Sequence, residues 1–260
     1  MKITLLYRKS VHENAARCYQ LAKESREKIA GLEKAMKETG REIESARKKT
    51  TVREIRIKRE REWFEKFHHA VTAAGSLMLG GRNAQQSDLL VAKRMEDADL
   101  FFHADIQGGA VVILKGGVDA GERDMEEAAQ FAACFSNAWK NGNAAVDVYA
   151  VRKNQLTKKV SGGFVPAGAF AILGERKWFR NTRLALRIGV DDNGRIRLIP
   201  DRSAVVLKDQ LVVVPSLAGK EKGAMAKSLA KRFGVHPDEL LELLPNGKSK
   251  TAEIQKDRVV

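Results

Sequence analysis

Gly80-Gly-Arg-Asn-Ala-Gln-Gln86 and, after a short intervening run, Asp99-Leu-Phe-Phe-His-Ala-Asp-Ile-Gln-Gly-Gly-Ala-Val-Val-Ile-Leu-Lys115 decide how this chain is read. Strand-like apolar segments flank the polar centre, Leu77 to Leu79 before it and Ala110 to Leu114 after it. Between them lie two glycine pairs, an arginine, several amides and a His-x-Asp. Paired glycines allow a turn with positive φ, or let another molecule approach the backbone closely. The polar groups beside them are of the kind that recognise rather than pack. The plainer reading is two hairpin turns that close a sheet and bind nothing.

The chain has 260 residues and a formal net charge of +14, from 47 Lys and Arg against 33 Asp and Glu. That length allows one or two domains with a real core. No apolar run reaches the ~18 residues of a membrane span, and Met1 to Tyr7 is too short for a secretory leader, so the expectation is a cytoplasmic protein without a membrane partner. Cys18 and Cys134 are too few and too far apart for a disulfide framework or a zinc site. A strong positive excess points to a polyanionic partner held through neutralised phosphates. Nucleic acid fits this better than a lipid surface, because neither terminus carries an amphipathic helix with a bulky apolar face.

Outward from the centre, residues 1–10 read as a short strand, with Ser10 as the N-cap of a helix beginning at Val11. From Val11 to about Phe67 there is no proline, and apolar or small residues recur at sevens: Ala15, Ala22, Ile29, Met36, Ile43, then Ile57 and Phe64. That is a coiled-coil-like helical period. One straight helix of this length would be about 80 Å long with little to cover its stripe. The expectation is therefore a hairpin of two helices reversing between Gly40 and Thr51, with its tip near Lys48 to Thr51. Between Arg47 and Arg61 eight Arg and Lys face only Glu54 and Glu60. Trp63, Phe64 and Phe67 give the helix end an aromatic face, and His68 and His69 are expected on the same helix.

From Ser76 the pattern predicts strands at 76–79, 89–93, 100–103 and 110–114. A helix comes next with Asp124 as N-cap and Glu127 completing a capping box; its apolar face runs through Ala128, Phe131, Ala132, Phe135 and Trp139, and it closes at Asn141-Gly142. Further strands are expected at 146–151, 164–171 and 184–189, with 152–159 and 174–181 as connections. A hairpin from Arg187 to Ile199 turns at Asp192-Asn193-Gly194. Then come a strand at 211–214, helices at 220–233 and 237–244, and a frayed tail from Lys248. One core helix among several strands implies an α+β fold with a mainly antiparallel sheet. The division expected is a coiled-coil helical arm over 1–62, a globular domain over 63–190 and a small C-terminal extension over 191–260.

Several catalytic signatures are absent: a G-x-x-x-x-G-K phosphate loop, a Rossmann glycine set, H-E-x-x-H and G-x-S-x-G. Asp99, His103 and Asp105 form the one set that suggests metal-dependent hydrolysis, although residues two apart on a strand share a face as a matter of course.

Glu62-Trp-Phe-Glu-Lys-Phe67, Gly80 to Gln86, Asp99 to Asp105, Glu127-Ala-Ala-Gln-Phe-Ala132, Ser136-Asn-Ala-Trp139 and Gln155-Leu-Thr-Lys158 resemble, in order, the RNA-binding domain of the NFACT family. Val11-His-Glu-Asn-Ala-Ala16 and the basic stretch after it resemble that family's coiled-coil arm. The resemblance covers roughly residues 10–190. It departs at Asn83 for the usual Asp, Gln107 for His, Leu156-Thr157 for Val-Ser and Gly163 for Glu.

What the resemblance implies is a non-catalytic protein of ribosome-associated quality control. Such a protein binds tRNA and rRNA on the large ribosomal subunit when a nascent chain stays attached to tRNA. The chain starts where the family's coiled coil starts, so the expectation is a form lacking the large N-terminal domain. No cofactor or metal is implied. The expected phosphate contacts on the arm are Arg53, Arg56, Lys58, Arg59 and Arg61. The expected globular site is Gly81, Arg82, Asn83, Gln85, His103, Asp105 and Gln107, with Lys158, Arg176 and Lys177 at its rim. Pairing of the arm with a partner chain or a second copy is the scaffold alternative.

Overall fold

The computed structural model describes residues 4–50, 62–160 and 163–253. Two compact units result, 1–60 and 61–260.

In the first unit, α1 runs without a break from Val11 to Thr50. Its start is a capping box: the Ser10 amide donates to Glu13 Oε2 at 2.8 Å, and the Glu13 amide donates to Ser10 Oγ at 3.3 Å. Among the described residues before it, 4–10, the expected strand does not form. Instead Asn14 holds Leu6 from both sides, accepting from its amide at 2.9 Å and donating to its carbonyl at 3.1 Å. Nor does the chain reverse between Gly40 and Thr50. A single glycine costs a helix only about 1 kcal/mol, too little to end it without a proline or a competing contact. The favoured tip at Lys48 to Thr51 is thus corrected up to Thr50; Thr51 to Arg61 lie outside the described residues.

The second unit is α+β, as expected. Its main sheet collects β1 (His68–Val71), β2 (Leu77–Gly80), β3 (Leu100–Ala104), β4 (Val112–Leu114), β5 (Ala145–Arg152) and β10 (Lys177–Arg183). The order is β1-β2-β4-β3-β5-β10, with every neighbouring pair antiparallel. Helix α2 (Ala84–Lys93) follows β2, and α3 (Glu122–Cys134) and the short α4 (Asn137–Lys140) precede β5. Two-residue strands β6 (Leu156–Thr157), β7 (Lys159–Val160), β8 (Gly163–Phe164) and β9 (Ala171–Ile172) pair among themselves between β5 and β10.

A second sheet, β12-β11-β13-β14, is built from β11 (Leu186–Val190), β12 (Ile196–Pro200), β13 (Lys208–Lys220) and β14 (Ser249–Glu253), with α5 (Lys222–Phe233) and α6 (Pro237–Leu243) packed beside it. Gly234 ends α5 in the left-handed conformation at φ 65°.

Alternation sorts the main sheet into two faces. Phe102, Ala104, Val112, Leu114, Val148 and Ala150 point toward Ala128, Phe131 and Ala132 of α3, and the same cluster continues through Leu186 and Leu211 to Leu229 and Leu240. Leu79, Phe101, Ile113, Tyr149 and Val151 point the other way, onto Phe67 and Leu90.

Several expected elements are corrected. His68 and His69 begin a strand rather than ending a helix, because Phe67 is buried in the sheet's own cluster. Residues 89–93 are helical: Asn83 caps α2, and only the Ser87 and Leu90 side faces inward. A run as short as Leu-Leu-Val does not distinguish strand from helix. α3 starts at Glu122 with Gly121 as N-cap, so Asp124 lies inside the first turn, where its charge suits the helix dipole. Residues 164–171 are not one strand, only their ends pairing as β8 and β9, while 177–181, expected as part of a connection, belong to the sheet edge β10. The tail from Lys248 pairs with β13, and the Trp139 indole donates to Ser249 Oγ at 3.0 Å.

Candidate nucleic-acid interface

The glycine-rich turn after β2 is occupied by the chain itself. A Cβ on Gly81 would stand 2.5 Å from Ser87 Oγ and 2.9 Å from Ser87 N, so the close approach that glycine permits here is that of the first turn of α2. The Asn83 carboxamide accepts from the Gln86 amide at 2.9 Å. Arg82 receives Gln86 Oε1 on its backbone at 3.1 Å, reaches the Glu65 and Phe67 carbonyls at 3.4 and 3.5 Å, and lies 3.9 Å from Glu242. Arg82 thus ties the turn to the segment before β1 and to α6, Asn83 caps α2, and Gln85 is exposed.

A different group of side chains converges on the sheet surface. His103 of β3 stands opposite Tyr149 of β5, and Tyr149 stands opposite Trp178 of β10. These cross-strand neighbours form a row of rings, with centroids 5.8 Å apart for His103–Tyr149 and 5.6 Å for Tyr149–Trp178. Arg176 places its guanidinium 4.6 Å from the Tyr149 centroid, and Arg180 places its own 3.9 Å from that of Trp178. Arg180 is aimed by Asp147, at 2.6 Å, and Asp147 also accepts from the Asn181 amide at 2.8 Å. Asn181 has φ 50° at the irregularity in the β10–β5 pairing, so a bulge turns this edge.

The imidazole of His103 is half-buried. Burial holds its pKa below the ordinary value, against the opposing effect of backbone bonds at Ala104 and Gly109, so at neutral pH the ring is uncharged. Gly109 makes the room: a Cβ there would come within 3.2 Å of the ring. The second glycine pair is therefore a seat for His103. Asp105 and Gln107 are exposed beside it; the Gln107 carbonyl accepts from Asn137 Nδ2 at 3.0 Å.

The remaining expected residues sit apart. Lys158 is committed within the chain, 2.5 Å from Asp88, 2.6 Å from the Ala169 carbonyl and 3.9 Å from the Phe170 centroid. Lys177 pairs with Glu122 at 2.7 Å. Arg53, Arg56, Lys58, Arg59 and Arg61 lie outside the described residues. Asp99 is at the opposite end of β3 from Asp105. It is buried, bonds Lys115 at 2.7 Å and accepts from the Glu96 and Gly116 amides at 2.7 and 2.9 Å. The Asp99–His103–Asp105 set does not converge, and among the described residues no three His, Cys, Asp or Glu are placed to hold a metal. Nor, among those residues, is any helix long and apolar enough to cross a membrane.

Tyr149, Trp178 and Arg180 escaped the sequence reading. The signal for Tyr149 was its place in the alternating run 145–152; for Trp178 and Arg180, strand pairing alone brings them to the row.

Comparison with known proteins gives the same assignment as the motifs. Residues 66–174 match the model of the NFACT protein RNA binding domain. The archaeal Rqc2 homolog aRqcH of Methanocaldococcus jannaschii is 36% identical over 202 residues, covering 74% of this chain and 30% of that protein. The ribosome quality control complex subunit NEMF homolog of Drosophila melanogaster is 27% identical over 215 residues, 78% of this chain and 22% of that protein. Human ribosome quality control complex subunit NEMF is 29% identical over 161 residues, 60% of this chain and 15% of that protein. The chain thus spans under a third of the length of each of these relatives. In-order motifs, an antiparallel α+β fold and these matches lead to one conclusion: residues 66–174 belong to the NFACT RNA-binding-domain family.

Proposed function

We propose that the chain is a non-catalytic RNA-binding protein of ribosome-associated quality control, contacting tRNA or rRNA on the large ribosomal subunit. The observation that carries this reading is the row His103–Tyr149–Trp178 with the Arg176 and Arg180 guanidiniums laid over its rings. The partly exposed rings of His103 and Trp178, with the buried Tyr149 between them, offer stacking to unpaired bases of any sequence, and arginines offer charge to the phosphates between them. A net charge of +14 supplies the long-range attraction. The names of the relatives supply the setting, the ribosome quality control complex. Of the globular residues read from the sequence, His103, Asp105, Gln107 and Arg176 border this surface and are its proposed contacts. The basic run Arg53 to Arg61 is proposed to add phosphate contacts.

The test is co-sedimentation with purified large ribosomal subunits, with and without peptidyl-tRNA, over a salt series. Binding that falls steeply with salt and strengthens with peptidyl-tRNA is expected. Absence of association with subunits at moderate salt, together with absence of binding to free tRNA, refutes it.

One observation favours a second reading. Ile29, Leu32 and Met36 of α1 are 56, 64 and 74% exposed, a stripe suited to pairing with another helix. A stable dimer in solution that dissociates when Ile29 and Met36 are made polar supports the scaffold role.

A further inference from the structure

Where β5 ends and β10 begins, on the α3 side of the sheet, the surface opens into a groove of about 390 Å³. Its floor is apolar, made by Leu100, Val118, Met125 and Ala150, and its mouth is polar, with Arg152, Glu175 and Arg176. Leu100 and Ala150 are 8 and 2% exposed, so the floor is part of the domain's core. Arg176 belongs to both features, since its guanidinium also covers the Tyr149 ring. The groove thus meets the proposed stacking surface at Arg176, across the edge of the sheet.

We propose that this groove receives one unpaired base of a bound RNA. The inference rests on the RNA-binding reading and gives it a specific subsite. An apolar floor with charge confined to the mouth suits a flat heterocycle whose sugar–phosphate stays outside; a free phosphate would leave the floor unused. The volume lies at the small end of ligand pockets and takes a single such group. A paired base stays in its helix, so the subsite discriminates splayed from duplex nucleotides. The guanidiniums of Arg152 and Arg176 at the mouth face the phosphates on either side of the inserted base. Glu175 is the acceptor at the mouth, which favours a base carrying an amino group over uracil, as a carboxylate accepts from the cytosine amine in groove recognition. The Gln155 amide beside it does not compete, because it bonds the Leu173 and Glu175 carbonyls at 3.1 and 2.6 Å and accepts from the Arg152 amide at 2.8 Å.

The experiment compares binding of the full chain, by fluorescence anisotropy, to one RNA hairpin in two forms: blunt, and with a short unpaired adenosine overhang. The overhang is expected to tighten binding about tenfold, in the range one stacked base contributes, and a uridine overhang less. Met125→Trp fills the groove and is expected to abolish the gain while leaving the blunt hairpin unchanged. In the unaltered chain, 8-azidoadenosine within the overhang is expected to photocrosslink to residues 118–125 or 150–152. Equal binding of blunt and overhang forms overturns the subsite while leaving the RNA-binding reading intact, as do crosslinks elsewhere only. Failure of both forms to bind overturns both.

Discussion

His68 is the residue whose titration should reveal how the domain is held. It begins β1, stacks on Phe135 with ring centroids 4.1 Å apart, and keeps Nδ1 buried without a hydrogen-bond partner among the described residues. Burial, reinforced by the nearby charges of Arg82 and Lys222, pushes its pKa down from 6.5 to about 3. In the unfolded chain the ring takes up a proton near its ordinary value; in the folded chain it refuses one. The stabilising contribution is therefore complete above about pH 6.5 and is lost as the pH falls from there toward about 3. Between about pH 7 and about pH 4.5 the loss assigned to His68 alone is about 2–3 kcal/mol. His68→Phe keeps the stack on Phe135 and removes both the orphaned nitrogen and the titration. Urea unfolding followed by tryptophan fluorescence, for both proteins at both pH values, isolates the effect. The parent should lose about 2–3 kcal/mol more than the variant on acidification. Equal losses refute the assignment of a neutral, protected His68.

The other predictions are direct. Arg176→Glu and Arg180→Glu should each weaken RNA binding and flatten its salt dependence by roughly one unit of log–log slope, measured by anisotropy over a salt series. Trp178→Ala should weaken binding to single-stranded RNA by ~1–3 kcal/mol and duplex binding little. Gly81→Ala forces Ser87 away and should cost about 1–3 kcal/mol by urea unfolding, with the RNA surface itself untouched. Asp99→Ala strands two backbone amides, leaving Lys115 to Glu96 and the Arg94 carbonyl, and should lose about 1–3 kcal/mol by the same measurement.

Strand alternation at 100–104 and 145–152, the capped start of α1 at Ser10 and Glu13, the Asp192-Asn193-Gly194 hairpin and the glycine stop at 234 were legible because each is decided within a few residues. Local rules also misled where a tertiary contact outweighed them. Leu89 to Lys93 reads as a strand until Ser87 and Leu90 are seen on the buried face of α2. Lys177 to Arg183 reads as a charged connection until its pairing with β5 is known.

The candidate site divides in the same way. The sequence by itself determined the basic balance, the RNA-binding family and the antiparallel α+β class, since charge, motif spacing and period are properties of the chain in one dimension. Only the tertiary structure decided what the marked residues touch. It commits Arg82, Asn83 and Lys158 to contacts within the chain. It joins His103 to Tyr149 and Trp178 across three strands separated by long intervals of sequence. The physical reason is that strand register and close packing are set by the burial of the whole sheet, and no local segment contains that information.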